Sequence, residues 1–217
     1  VGGHILRIAD AADEAFDPVN LSSQLLEELA ARPFSLLRAK AEPAMRNAVE
    51  AARMAADSVG GVVEIAAVGL PAGLGSPMFD GVENRLAPLF FGIPAVKGVE
   101  FGDGFALAGM RGSQANDPYA YDASGRVVTT SNHNGGILGG ITSGMPLIVR
   151  LAVKPTASIG QPQRTVDLVA GREAELVVKG RHDPCIVPRA LPVAEAALAL
   201  GLLDILETEA IPAHCAD

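Results

Sequence analysis

Residues 131–158 read SNHNGGILGGITSGMPLIVRLAVKPTAS and join a glycine-rich turn to an apolar strand with a Lys-Pro-Thr-Ala-Ser exit. Glycines such as Gly135, Gly136, Gly139 and Gly140 let the backbone enter positive φ and approach a ligand closely, where a Cβ would obstruct it. Lys154, Thr156 and Ser158 then place one cation and two hydroxyls within five residues. Backbone amides, hydroxyls and an ammonium together suit anion binding. The same spacing also fits a tight turn before a core strand, and the glycines alone do not choose between the two.

A second cluster, KGRHDPC at residues 179–185, gathers Lys179, Arg181, His182, Asp183 and Cys185. Asp183 precedes a proline, which pushes it toward an extended backbone able to aim its side chain into a site. Zinc is disfavoured, because adjacent residues cannot all reach one tetrahedral ion and no CxxC or HExxH spacing exists. Nucleophilic catalysis is poorly supported: GxSxG is absent, and His182 three residues from Cys185 does not by itself set thiolate-imidazole geometry. Neither GxxxxGK[ST] nor GxGxxG occurs, which disfavours the usual ATP and NAD loops. His133 sits in the glycine loop, where a ligand contact and a plain turn role both fit; His4 falls in a strand and His214 in a terminal tail.

These residues need a substantial scaffold, and the composition supplies one. At 217 residues, 49% hydrophobic and 19% charged, the sequence predicts a single α+β domain over residues 1–217. Trp is absent and aromatics are scarce, so base-stacking surfaces are not expected, and a net charge of -8 argues against nucleic-acid binding. That charge is uneven: residues 1–100 carry a net of -5, residues 101–189 a net of +2, and residues 190–217 a net of -5. The one positive third holds both clusters, which suits a small anion. Two cysteines, Cys185 and Cys215, make no disulfide framework, and no apolar run reaches the roughly 18 residues of a membrane span. With no signal-peptide pattern, a cytoplasmic location is expected, and Val1 in place of Met points to a segment removed upstream.

Periodicity predicts a strand over residues 4–8, a helix over 20–31 with Asn20 as its cap, and a second helix over 43–58. A strand over 62–70, a Pro/Gly loop, a helix over 82–91 and a strand over 95–101 follow. A short helix reaches Leu107, and residues 112–134 read as a long functional loop. A strand over 147–153 and a hairpin pairing 165–169 with 173–178 come next. Residues 193–206 form a helix apolar around most of its circumference, which predicts burial between layers.

Five strings in order, GIPAVKGVEFGDGF, GSQAND, SNHNGGILGGITSGMP, KPTASI and GRHDPCIVPRALPVAEAALAL, closely resemble chorismate synthase, over about residues 4–204. The resemblance implies helices sandwiched between antiparallel β-sheets and a homotetramer. It implies a lyase of aromatic amino acid biosynthesis that eliminates phosphate from 5-enolpyruvylshikimate 3-phosphate. Reduced FMN is required, with NADPH as a reductant in some members. The flavin contacts carried over are Pro94, Ala95, Gly139, Lys154, Pro155, Thr156, Ala157, Ser158 and Arg181, while Asp183 is the residue proposed to move a proton at the flavin. Burial of Asp183 would raise its pKa and fit it to accept that proton.

One departure is large. Family members begin with a further stretch carrying a GESHG-like motif, a second essential histidine and phosphate-binding arginines, and none of His4, His133, His182 or His214 matches those histidines. The expectation is therefore a C-terminal portion, inactive alone. The alternatives are a non-catalytic assembly element or an unrelated phosphate-binding protein.

Overall fold

The computed structural model describes residues 1–208, so His214 and Cys215 lie outside the described residues. Strand β1 (Gly2–Ile8) turns through Ala9 and Asp10 into the short β2 (Ala11–Ala12), and helices α1 (Ser23–Ala30) and α2 (Glu42–Met54) lead to β3 (Gly61–Ala67). Helix α3 (Val82–Phe91) feeds β4 (Val96–Phe101), after which come α4 (Gly112–Ala115) and two hairpins, β5 (Tyr119–Tyr121) with β6 (Val127–Thr129) and β7 (Ile137–Leu138) with β8 (Ile141–Thr142). Strand β9 (Leu147–Val153), the hairpin of β10 (Gln163–Asp167) and β11 (Arg172–Leu176), and α5 (Val187–Thr208) complete the described chain. The main sheet is antiparallel in the order β2-β1-β3-β9-β4, and the α+β class with antiparallel sheets holds.

Period-two alternation gives this sheet two different faces. On one, Ile5, Val63, Ile65, Val149 and Leu151 pack with Met45 of α2, Phe90 of α3 and Leu198 of α5. Each such side chain contributes about 1.5–3 kcal/mol when fully buried. On the other, Ala66 and Ile148 lie under Phe16, Leu21, Leu26 and Leu29. Beside that apolar lid, cross-strand register aligns His4, Glu64, Arg150 and Glu100 in one row across β1, β3, β9 and β4.

Glu64 is fully buried and shares its two oxygens: Oε2 takes His4 Nε2 at 2.9 Å and the Phe16 N–H at 2.7 Å, and Oε1 takes Arg150 Nε at 2.8 Å. Burial pushes the Glu64 carboxyl up, but the bonds from His4 and the Phe16 amide, with the Arg150 charge behind them, outweigh it and leave the group below its ordinary value.

Strand β3 ends at Ala67, short of the expected residue 70, the β10–β11 hairpin sits about two residues early, and three helix boundaries also differ from the periodicity. The N-cap of α1 is Ser22, whose hydroxyl accepts from the Leu25 N–H, because the Asn20 N–H is taken by Asp17 Oδ1 at 2.9 Å in an Asx turn. Helix α2 stops at Met54, where Ala56 swings to a left-handed φ of 52° and closes the helix. Helix α5 starts at Val187, six residues early, since Pro188 sits in its first turn where no N–H is needed. Its burial is also one-sided: Leu198 and Ile205 are fully buried, while Leu200 is 66% and Leu203 54% exposed. No helix among the described residues is long and apolar enough to cross a membrane.

Candidate cofactor site

At one end of the main sheet, four segments distant in sequence are tied by hydrogen bonds. The Lys154 N–H donates to Ala95 O at 2.9 Å, closing the end of β9 against the start of β4. Ser58 Oγ donates to Thr156 O at 2.6 Å, and the Val59 N–H donates to Pro184 O at 2.8 Å. The Gly160 N–H then donates to Ala56 O at 3.0 Å. Pro94, Ala95, Lys154, Pro155, Thr156 and Pro184 are thus gathered around the loop between α2 and β3, with Ala157 and Ser158 on the exposed continuation of the same strap and Arg181 exposed three residues before Pro184.

Several features there are costly unless something uses them. Ala95 holds a left-handed φ of 74° with a Cβ, and Ala9 nearby does the same at 48°. Thr156 Oγ1 is buried and makes no hydrogen bond among the described residues, so it is an orphaned donor and acceptor. Lys154 and Arg181 are exposed, with no ion pair among the described residues. A hydroxyl, a strained backbone and two unpaired cations fit a polyanionic, hydrogen-bonding group such as a flavin phosphate ester.

Gly139 lies elsewhere. Its turn joins β7 to β8, and the Val82 N–H at the start of α3 donates to the neighbouring Gly140 O at 2.9 Å. Ala95 follows the other end of α3, and a helix of 10 residues rises about 15 Å. One chain therefore does not bring Gly139 to the Lys154 cluster. The polar stretch expected as a loop is a built scaffold for this second turn, containing α4 and the β5–β6 hairpin. Within it, Asp117 accepts from the N–H groups of His133 at 2.8 Å and Asn134 at 3.0 Å, and from Ser131 Oγ at 2.7 Å. His133 Nδ1 meets Asp103 Oδ2 at 2.6 Å, which gives it an anchoring role in the turn.

Asp183 is ion-paired with Arg189 of α5, and its side chain is 43% exposed, so the burial expected of it is not met in this chain. Burial does act on Cys185, pushing its thiol up and away from the reactive thiolate. No group of three or more His, Cys, Asp or Glu able to hold a metal occurs among the described residues.

Sequence reasoning missed one network at the middle of the sheet and two cations at this end. The His4, Glu64 and Arg150 network joins residues 60 and 86 apart, a separation that leaves no local signal. Arg7 and Lys97 sit beside β-bulges that periodicity alone does not locate.

Comparison with known proteins agrees with this architecture. A family model described as "Chorismate synthase" matches residues 1–206. The chorismate synthase of Chloroflexus aggregans is 47% identical over 204 residues, covering 94% of this chain and 54% of that protein. That of Pyrococcus abyssi is 58% identical over 158 residues, covering 73% and 44%. A solved structure titled "Crystal Structure of Chorismate Synthase" superposes with a TM-score of 0.74 at 28% identity, over 95% of this chain and 56% of that one. The chain spans about half the length of the curated relatives it matches. With matched sequence, matched fold and the five motifs in order, this chain belongs to the chorismate synthase family.

Proposed function

We propose that the chain is one portion of an FMN-dependent chorismate synthase, acting in the elimination of phosphate from 5-enolpyruvylshikimate 3-phosphate within aromatic amino acid biosynthesis. The observation that carries this is the convergence of Ala95, the Lys154-to-Ser158 strap and Pro184, with Thr156 Oγ1 left unpartnered inside it. Reduced FMN, when bound, supplies transient electron density as the phosphate leaves.

The chain's own residues prepare that site. Lys154 and Arg181 offset the negative charge of cofactor and substrate, while Thr156 and the backbone at Pro94 and Ala95 orient the bound group. Asp183 holds or moves a proton beside it, and Arg189 fixes the position of that carboxylate. Gly139 enters the account only across a larger distance than this cluster, in keeping with a site assembled in a homotetramer. The uncovered Leu200 and Leu203 of α5 give such an assembly an apolar face to bury. NADPH as reductant and a cytoplasmic setting accompany the same reading.

The chain alone is inactive in this account, since it carries neither family histidine. Titration with FMN under reducing conditions tests the binding claim. Thermal stabilisation that saturates with FMN supports it; an unchanged melting temperature and flavin spectrum reduce the chain to a structural element of the enzyme.

A further inference from the structure

Beside the Lys154 strap lies a cleft of about 470 Å³, within the range of small-ligand sites. Its lining brings together Arg7 of β1, Lys97 of β4 and Lys154 after β9. None of the three makes an ion pair among the described residues. Asp10 is the one carboxylate in the lining, so three cations face a single negative charge. Like charges gathered this way repel unless an anion joins them.

The gathering is built into the backbone. Residues pair across the sheet as Arg7 with Val62, Val62 with Ala152 and Ala152 with Gly98. Both outer members of that row adjoin register shifts, between Ile5 and Arg7 in β1 and between Val96 and Gly98 in β4. The first bulge brings Arg7 to the face of His4 although they are three residues apart, and the second makes Lys97 the extra residue of its strand. The floor is bare backbone: a Cβ on Gly60 would lie 2.3 Å from Val153 O, and one on Gly61 2.0 Å from Arg7 O. Ala9, left-handed at φ 48°, forms part of the rim.

We propose that Arg7, Lys97 and Lys154 form a phosphate subsite for the dianion of a phosphate monoester or of inorganic phosphate. This deepens the reading of Lys154 as a ligand contact and rests on it, while adding Arg7 and Lys97 as new binding residues. Because all three cations are exposed, the affinity should also fall as salt is raised.

The test titrates the chain with inorganic phosphate by calorimetry, beside an Arg7→Gln, Lys97→Gln double variant and an Arg172→Gln control on the β10–β11 hairpin. Two lost charge-assisted contacts predict at least a tenfold weaker phosphate affinity in the double variant, with the control and all melting temperatures unchanged. FMN and riboflavin then identify the source. Loss of FMN's advantage over riboflavin in the double variant assigns the site to the flavin phosphate; an intact advantage alongside weakened phosphate binding assigns it to the substrate or product phosphate. Phosphate binding through Arg7 and Lys97 with no FMN binding upholds the subsite and refutes the flavin reading. No phosphate binding by the parent chain, or equal affinity in the double variant, overturns the proposal.

Discussion

Lys154 donates its backbone N–H to the carbonyl of Ala95 at 2.9 Å, so two predicted cofactor contacts from separate motifs form one edge. That bond holds Ala95 at φ 74°, where a Cβ is disfavoured by about 1–2 kcal/mol. Ala95→Gly is expected to relieve this strain, leaving stability unchanged or raised by up to about 1 kcal/mol once glycine's greater chain entropy is set against it. Ala95→Val should lower it by more than about 1 kcal/mol. Urea unfolding of both variants checks the order, and a destabilised glycine variant would remove the strain from the account.

Two glycines separate close approach from backbone conformation alone. A Cβ on Gly61 would lie 2.0 Å from the Arg7 carbonyl oxygen, whereas one on Gly139, at φ 62°, meets nothing within 4 Å. Gly61→Ala is therefore expected to cost more than about 2 kcal/mol by forcing β1 from β3. Gly139→Ala should cost only about 1 kcal/mol. Similar losses in the two would contradict the tight packing of the strands at the cleft floor.

The Glu64 carboxyl lies below its ordinary value in the folded chain, because bonds from His4, Phe16 and Arg150 outweigh its burial. A depressed carboxyl contributes stability above its unfolded value of about 4.3, and that contribution is lost as pH falls through the folded value. Glu64→Gln should cost about 3–5 kcal/mol at pH 7, since it leaves the Arg150 guanidinium without its charge partner. The variant should also lose less stability than the parent between about pH 5 and pH 3. Unfolding followed by circular dichroism across that range decides the matter; parallel acid limbs would show that Glu64 does not carry the charge.

In the full-length enzyme, Asp183→Asn is expected to lower kcat by about 100-fold or more while changing flavin affinity by less than about threefold, as fits a proton-moving group. Arg189→Gln, which frees Asp183 from its ion pair, should change turnover less. Steady-state kinetics and flavin titration separate the two effects, and wild-type turnover in the asparagine variant would exclude Asp183 from the mechanism.

Much of the scaffold is legible from local pattern, because periodicity and breakers act within a few residues. Helix α3 over Val82–Phe91 and strand β9 over Leu147–Val153 match their expected bounds. What is not legible depends on partners far along the chain. Asn20 has the right chemistry for a cap but is captured by Asp17, and the prolines that hide the start of α5 are tolerated in place. The apolar circumference of α5 reads as burial, yet only one face meets the sheet. In the site, the resemblance names Ala95 and Lys154, but the loop from Ser58 to Gly61 that ties Thr156 and Pro184 beside them, and the cations Arg7 and Lys97, follow from tertiary register alone.

Hydrogen exchange of the chain with and without FMN under reducing conditions decides whether FMN seats against the Lys154 strap. FMN seated there slows exchange at residues 55–61, 95–98 and 154–160 and leaves the turn at Gly139 unaffected in the isolated chain. Unchanged exchange at those three segments, or protection confined to the Gly139 turn, would contradict it.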